Sequence, residues 1–501
     1  MTDRPATPSP AGEVHRLVAQ RLEKLQLLRD AGIEPYPHRY DRTHTSAELR
    51  EQEQALTAAG TVVRIAGRVM AKRVAGKTIF IPLYDGPGKI QIYVRRDDLG
   101  DEAFRFFKKL LDIGDIIGVA GTLFRTRTGE LTVQVREYTL LAKSLRPLPE
   151  KYHEMSLELR SRKRYLDLIM NLATRERFRR RSAILEEVRR FLLDERFLEV
   201  ETPILQPLYG GASARPFKTH HHALDTTLYL RIADELYLKR LIVGGFERVF
   251  EFCKDFRNEG MDRTHNPEFT MMECYAAYAD YHDMMDLFER LVLRLVERFG
   301  DDGTVTYDGT VLDFRDGFRR IRYLDALSER AGTDVTALDE DAVRELARRH
   351  GLAPAPGMSR ARILDDLFAE LVEPELVQPT FVLDHPREIS PLAKPHREDP
   401  RLVERFEGFI AGFEVCNAFS ELNDPLDQRR RFEEQMAQRA KGDAEAQVLD
   451  EDYLEALETG MPPTGGLGVG LDRLVMLLTD SHSIRDVLLF PAMRPEEGRD
   501  G

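Results

Sequence analysis

Three stretches of the chain gather ionisable residues with aromatics or glycines at spacings able to build one reactive cleft. The first, FEFCKDFRNEGMDRTHNPEFTMMECYAAY (250–278), reads as two strands joined by a polar turn centred on GMDRTHNP. Side chains alternate between the two faces of a strand, so Arg257 and Glu259 are predicted on one face of the first strand. Phe269, Glu273 and Tyr275 then share one face of the second. A guanidinium, carboxylates and aromatics would converge there. A purely structural hairpin does not bury so many ionisable groups, because each costs several kcal/mol when it lacks a partner.

The second stretch, RFEGFIAGFEVCNAFSELNDP (405–425), places Asn417, Phe419 and Glu421 on one strand face with Glu407 and Glu414 upstream. Paired carboxylates of this kind commonly hold magnesium against phosphates. Simple alternation puts Glu414 on the face opposite Asn417, so a joint site requires a β-bulge or a strong twist between them. The third, PPTGGLGVGLDRLVMLL (462–478), runs glycine-rich backbone into a helix. Leu471, Leu474, Val475 and Leu478 form its predicted buried stripe, and Arg473 sits in its first turn. GGLGVG lacks the G-x-G-x-x-G spacing of a dinucleotide fingerprint, and no GK[ST] follows as in a P-loop. These glycines instead let backbone approach a ligand closely.

The elements that must position these residues are legible around them. Val14, Leu17, Val18, Leu22, Leu25 and Leu28 recur at helical spacing, predicting an amphipathic helix that ends near Gly32. From about 61 to 141 the text turns to short β-rich runs: VVRIAGRVMAKR, KTIFIPLYD, KIQIYV, then a helical DDLGDEAFRFFKKLL, then DIIGVAGTLFRT and ELTVQVREYTLL. Five strands with a helix between the third and fourth suggest an OB-type barrel, whose groove could offer Lys72, Arg73, Phe80 and Gln91 to single-stranded nucleic acid. SLRPLPEKYHE, near 144–154, reads as a linker. Beyond it, helices such as RRRSAILEEVRRFLLDERF alternate with hairpin-like strands, and 325–375 forms a helical, proline-punctuated insertion. The expected fold class is α+β, an antiparallel-sheet domain with helices behind an all-β barrel. The divisions are a helical extension over 1–58, the barrel over 59–145, a linker over 146–154 and the large domain over 155–497.

The bulk numbers are consistent with this. A 501-residue chain that is 42% hydrophobic and 32% charged is globular and multidomain. No stretch reaches the roughly 20 apolar residues that span a bilayer, and MTDRPATPSPAGE has no apolar signal-peptide core, so a cytoplasmic place is expected. The three cysteines, Cys253, Cys274 and Cys416, are not spaced for zinc or disulfides and read as reduced packing residues. A net charge of -13 argues against a protein that coats nucleic acid indiscriminately. The arginine-rich run from Arg160 to Arg181 is either a phosphate-facing patch or a solvated helix face. His220, His221 and His222 are read as non-metal.

Taken together, the three stretches closely resemble a class II lysyl-tRNA synthetase over essentially the full chain. Motif one of the class looks like FLEVETP (197–203), motif two like FRNE with its HNPEF partner strand, and motif three like GLGVGLDR ending at Arg473. GGASARPF (210–217), ADELYLKR (233–240) and NAFSELNDP (417–425) mark the lysine-type pocket. The resemblance implies that Arg257 holds the α-phosphate and the lysine carboxylate. Phe269 would stack on adenine, His265 and Arg473 contact the outer phosphates, and Glu259 and Asn266 complete the ATP site. Glu407 and Glu414 would bind Mg2+, with Glu407 also counted in the ATP site; Arg257 and Arg473 would be the catalytic cations. Asn417 would meet the substrate carboxylate, with Phe419 beside it in the lysine pocket. Glu235 with the carbonyl of Gly211 would take the α-amino group, and Glu421, Glu273 and Tyr275 the ε-ammonium. In the barrel, anticodon reading falls to Arg73, Phe80, Gln91 and Glu130, with Phe80 stacking on a uridine.

The implied partners are ATP, L-lysine and tRNA(Lys), in a homodimer formed through motif one. No nucleophilic side chain is required, because the substrate carboxylate attacks the α-phosphorus and a terminal tRNA hydroxyl then attacks the lysyl-adenylate. Thr264 replaces an arginine before HNPEF, which leaves Arg263 as its possible substitute, and Phe413, Cys416 and Ala418 replace residues around the magnesium strand. An aspartyl- or asparaginyl-type synthetase would surround its pocket with cationic or amide groups, against which Glu421 and Glu273 argue. A non-catalytic RNA-binding relative would not keep Arg257, Glu407, Glu414 and Arg473 together, and the shorter paralogue type that lysylates a translation factor lacks the barrel. Glu421→Gln should weaken lysine binding by roughly 1.5 to 3 kcal/mol, the scale of one charged hydrogen bond, and leave ATP binding unchanged. Isothermal titration with each ligand checks this, and equal loss of both would contradict the pocket.

Overall fold

Alternation of buried and half-exposed residues from Val62 onward closes a barrel in the computed structural model, which describes residues 10–149, 155–355, 357–440 and 448–495. Its strands are β1 (Val62–Val69), β2 (Arg73–Ala75), β3 (Thr78–Tyr84), β4 (Lys89–Arg95), β5 (Ile116–Arg125) and β6 (Leu131–Ala142). They hydrogen-bond in the order β1-β5-β6-β4-β3-β2, and β1 pairs again with β3 to close the ring. Helices Arg96–Leu99 and Asp101–Leu110 lie between β4 and β5, as the sequence suggested. The predicted first strand, 62–73, breaks after Val69, so Arg73 sits on the separate short strand β2 rather than at the end of β1. Lys72 is not a groove residue: its ammonium donates to the carbonyls of Lys108 and Leu111, capping the helix Asp101–Leu110.

The helical extension expected over 1–58 is not a separate body. Leu28, Leu49 and Leu56 enter the same core as Ile79, Ile92 and Val133 of the barrel. The described residues fall into two compact units that divide near Ser156, with Tyr165–Leu172 grouping with the first. Residues 1–9, residues 150–154 of the expected linker and residues 496–497 of the expected large domain lie outside the described residues.

The second unit is built on β7 (Leu198–Glu199), β8 (Leu205–Gln206), β9 (Lys218–His221), β10 (Thr226–Leu230), β11 (Arg248–Phe256) and β12 (Glu268–Ala277). It continues with β13 (Thr304–Tyr307), β14 (Thr310–Asp313), β15 (Arg319–Arg322), β16 (Thr380–Leu383), β17 (Arg405–Ile410), β18 (Phe413–Ser420) and β19 (Thr464–Gly470). Eight of them form one sheet in the order β15-β16-β17-β18-β19-β12-β11-β7. It is antiparallel except at its two ends, where β15 runs parallel to β16 and β7 to β11. Apolar residues of β12, β18 and β19 pack against the helix Tyr281–Phe299, whose start is fixed by Asp280 and Asp283 in a reciprocal cap. The helix Leu471–Leu478 carries no exposed face of the expected kind: besides its predicted stripe, Asp472, Met476 and Leu477 are also buried.

Two arginines of the 160–181 run, the buried Arg164 and the half-buried Arg181, serve neither of the predicted roles. Arg164 donates to the carbonyls of Leu489 and Arg485, and Arg181 pairs with the buried Asp472 at 2.6 Å. These cations tie backbone ends and a buried carboxylate rather than facing solvent or phosphate. The three cysteines are buried free thiols. The insertion is helical as expected, with helices Tyr323–Ala331, Glu340–Arg349 and Arg360–Leu371 packing around Tyr323, Leu346, Leu367 and Phe368 in a core that also takes in Val382 of β16 and Phe409 of β17. Tyr323 and Phe368 stack at 4.3 Å. Phe368→Ala should remove about 3–5 kcal/mol from that core. Hydrogen exchange should then show protection lost within 323–376 and kept in β11, β12 and β19; loss throughout the sheet would show that this core is not distinct from that of the sheet.

Candidate active site

The hairpin of β11 and β12 forms one wall of the site, and its register sets what faces what: Glu251 lies opposite Glu273, and Asp255 opposite Phe269. Strand β11 ends at Phe256, three residues short of what the alternation of Arg257 with Glu259 required. Arg257 follows it with its backbone N–H on the Pro267 carbonyl, and its guanidinium lies over the Phe269 ring at 5.1 Å. Arg257 and Glu259 therefore do not share a strand face, and Glu259 stands exposed in the loop. Phe269, Glu273 and Tyr275 do share one, with the Tyr275 hydroxyl donating to Glu273 Oε2 at 2.9 Å.

Glu407 and Glu414 come together through the irregularity their positions demanded. Gly408 pairs with Cys416 but the next residue, Phe409, pairs with Glu414, so Val415 is the extra residue of a bulge in β18. That bulge turns Glu414 towards the side on which Glu407 faces Asn417 across the ladder. The two carboxyls then differ sharply. Burial works against the ionised Glu407, but Arg405 and His385 beside it hold its pKa down to about 2. Burial, and then the charge of Glu407, pushes Glu414 upward. Arg405 also donates to Asn417 Oδ1 at 3.0 Å, which leaves the amide NH2 of Asn417 to face a ligand. Arg473 donates to the Glu414 carbonyl at 2.5 Å and meets His265 Nε2 at 3.2 Å, so the two predicted phosphate contacts are neighbours.

The turn of motif two is held by Asp262, which accepts from the N–H groups of Thr264 and His265. Although partly desolvated, it is kept down to about 2 by these bonds and by the His265 ring. Arg263, the possible substitute for the missing arginine, donates through Nε to the His482 carbonyl at 3.2 Å. Asn266 ties the turn to two backbone groups, its NH2 on Glu268 O and its oxygen on the N–H of Ala492.

The amino-acid side of the cleft is acidic and buried. Glu235 opens the helix Glu235–Val243, and Glu421 follows β18 with its N–H on the Thr464 carbonyl. Lys239, one helical turn after Glu235, joins the two carboxylates through its ammonium, which lies 5.3 Å from the centre of the Phe419 ring. Gly211, at φ +85°, lies against Glu235: a Cβ there would stand 3.1 Å from Glu235 Cβ. Gly466 admits no side chain, since a Cβ would fall 1.9 Å from Glu421 Oε1 and 2.6 Å from Tyr275 Cε1. Behind this wall, burial and then the charges of Asp255 and Glu235 raise Glu273 to about 8, and its neighbour Asp234 is raised by burial and by Glu273. Arg231 is the inner counter-charge, pairing with Glu251 at 2.6 Å, which in turn accepts from both the N–H and the hydroxyl of Thr202 in FLEVETP.

Lys239, Arg405, Asp234 and Arg231 escaped the sequence reading. For Lys239 a signal existed in the four-residue spacing Glu235 to Lys239 on a predicted helix. For Arg405 it lay two residues before Glu407 on the same strand face.

On the barrel, Arg73 on β2 stands opposite Phe80 on β3. Phe80 meets Tyr93 in a tilted pair at 4.7 Å and Tyr93 meets Phe124 at 5.8 Å, extending the aromatic face beyond the one ring predicted. Gln91 donates to Thr132, and Glu130 is exposed at the start of β6.

Comparison with known proteins gives two family matches. Residues 156–494 match the model of tRNA synthetases class II (D, K and N), and residues 63–141 that of the OB-fold nucleic acid binding domain. Among curated proteins, the lysine–tRNA ligase of Carboxydothermus hydrogenoformans is 54% identical over 97% of this chain and 99% of its own. That of Moorella thermoacetica is 54% identical over 96% and 98%, and that of Enterococcus faecalis 53% over 95% and 96%.

With its pKa near 8, Glu273 carries a proton at neutral pH until a cation is placed against it. An ammonium favours the ionised form, so binding of lysine should expel that proton, and affinity should rise as pH increases towards about 8 and level off above it. Calorimetry at pH 7 in buffers of different ionisation enthalpy should show proton release on binding, lost in Glu273→Gln. A buffer-independent heat in the unaltered protein would sink the assignment.

Proposed function

The chain belongs to the class II tRNA synthetases of the D, K and N group, and within that group we propose that it is a lysine–tRNA ligase. It activates L-lysine with ATP to lysyl-adenylate and pyrophosphate, then transfers lysine to the 3′-terminal adenosine of tRNA(Lys). The observation that carries the specificity is the wall of Glu235, Glu421 and Glu273 closed by Tyr275. A carboxylate-bearing substrate would meet like charges there, whereas an ammonium gains charge-assisted hydrogen bonds about twice as strong as neutral ones.

The chemistry needs orientation and charge stabilisation rather than a nucleophilic side chain. Arg257, over the Phe269 ring, is suited to hold the α-phosphate and the substrate carboxylate while adenine stacks on the exposed ring face. The free amide NH2 of Asn417 faces that carboxylate, and His265 with Arg473 meets the outer phosphates. Hard carboxylate oxygens from Glu407 and Glu414, whose mutual repulsion raises Glu414, fit Mg2+. When bound, that ion would neutralise phosphate charge. Glu259, exposed in the loop, and Asn266, engaged elsewhere, contribute least to this reading.

The aromatic face of Phe80, Tyr93 and Phe124, with Arg73, Gln91 and Glu130 around it, suits splayed anticodon bases of tRNA. A homodimer is part of the proposal, supported by exposed Leu198 on the outer strand β7 and by exposed Ile204 and Leu205 at the start of β8. So is a cytoplasmic place; no described helix is long and apolar enough to cross a membrane.

Amino-acid-dependent exchange of pyrophosphate into ATP tests the reading, run with Mg2+ and each of the twenty amino acids in the absence of tRNA. Exchange with lysine alone is expected. Exchange with aspartate or asparagine would overturn the specificity, and none with any amino acid would favour a non-catalytic relative.

A further inference from the structure

Lys239 has no part in the reading so far, yet it touches three residues of the substrate pocket. Its side chain is wholly buried, its ammonium bridges Glu235 Oε1 and Glu421 Oε2, and the ring of Phe419 lies beneath it. Only one oxygen of each carboxylate is used. Glu421 Oε1 is buried without a hydrogen-bond partner, and Glu235 Oε2 turns towards Gly211. Each acid therefore keeps an acceptor pointing away from Lys239.

We infer that Lys239 is a positioning residue that sets substrate length, by clamping the acceptor of the α-ammonium to the acceptor of the ε-ammonium with one internal ammonium. This rests on the lysine–tRNA ligase reading and deepens it. A single ammonium in contact with both carboxylates holds their contacting oxygens no more than two hydrogen-bond lengths apart. The outward oxygens are fixed with them, and an amino acid bearing two ammonium groups must match that span.

The surroundings would not hold this geometry without Lys239. The groups facing the pair are Tyr453 from the helix Glu451–Thr459, Glu273 and Tyr275 from β12, and Arg405 from β17. Most are acidic or neutral. Unclamped, Glu235 and Glu421 would repel each other or take up a proton, and a protonated acid is a poorer acceptor for an ammonium. Phe419 shields the clamp from water on its ring side.

The test is steady-state pyrophosphate exchange by the full chain and by Lys239→Met, Lys239→Gln and Lys239→Arg, with lysine and with ornithine, which is one methylene shorter. In Lys239→Met the KM for lysine should rise at least about tenfold, while the KM for ATP stays within about twofold and kcat changes little. The preference for lysine over ornithine should fall, and the acidic limb of kcat/KM for lysine should move to higher pH, since carboxylates without their cation ionise later. Lys239→Gln keeps hydrogen-bonding capacity without charge and should behave like Lys239→Met, which covers the case of a poorly folding Met variant. Lys239→Arg should restore the acidic limb. A lowered melting temperature with unchanged lysine KM, unchanged preference and unchanged limb would overturn the clamp and leave Lys239 a structural ion pair. Absence of lysine-dependent exchange in the unaltered protein would instead overturn the function on which the clamp rests.

Discussion

Burying several carboxylates at the centre of one sheet is the constraint on which the rest of the second unit depends. Glu251, Asp255, Glu273, Glu235 and Glu421 are all removed from water, and ionised acids there are stable only beside cations or when one shares a proton. The chain supplies the cations from within: Arg231 for Glu251 and Asp255, Lys239 for Glu235 and Glu421, and Arg405 for Glu407. Burial raises the carboxyls of Glu273 and Asp234, which have no cation of their own, and it raises that of Glu421 even beside Lys239. The ammonium of a substrate lysine is, in these terms, the missing counter-charge.

The architecture serves that charge arrangement. Motif one reaches the site through the Thr202 bonds to Glu251, motif two supplies the hairpin, and motif three supplies the glycine strand β19 between β12 and β18. The bulge in β18 brings Glu414 to the side of Glu407, and Asp472 at the start of the following helix accepts from the N–H of Thr270 while pairing with Arg181. Charged contacts thus link β12, β18 and the helix Leu471–Leu478, and apolar residues of the same strands pack against Tyr281–Phe299.

Much of this was legible in the residues. Period-two alternation placed Phe269, Glu273 and Tyr275 on one face, and the same rule, by failing to unite Glu414 with Asn417, called for the bulge that β18 contains. The barrel and the helical insertion followed from runs of β-branched residues and from helical spacing. What escaped was set by where strands stop and by what a side chain does once other elements arrive. Arg257 and Glu259 were assigned to a strand that ends at Phe256. Lys72, Arg263 and Asn266 have the right types for nucleic acid or nucleotide, but each finds a backbone partner distant in sequence or across a turn. Arg164 and Arg181 of the 160–181 run show the same thing: local charge density does not reveal which carbonyls or carboxylates a guanidinium will meet.

Gly466 touches the substrate pocket without offering it a functional group. The space of its missing side chain is filled from two directions by Glu421 and Tyr275, so Gly466 cannot gain a side chain while those two stay as they are. In evolutionary terms the positions form an epistatic lock. A lineage drifting towards another amino acid could not pass through a single replacement of Gly466 without first losing its present one, and divergence of specificity would have to begin at the rim of the pocket rather than at its floor.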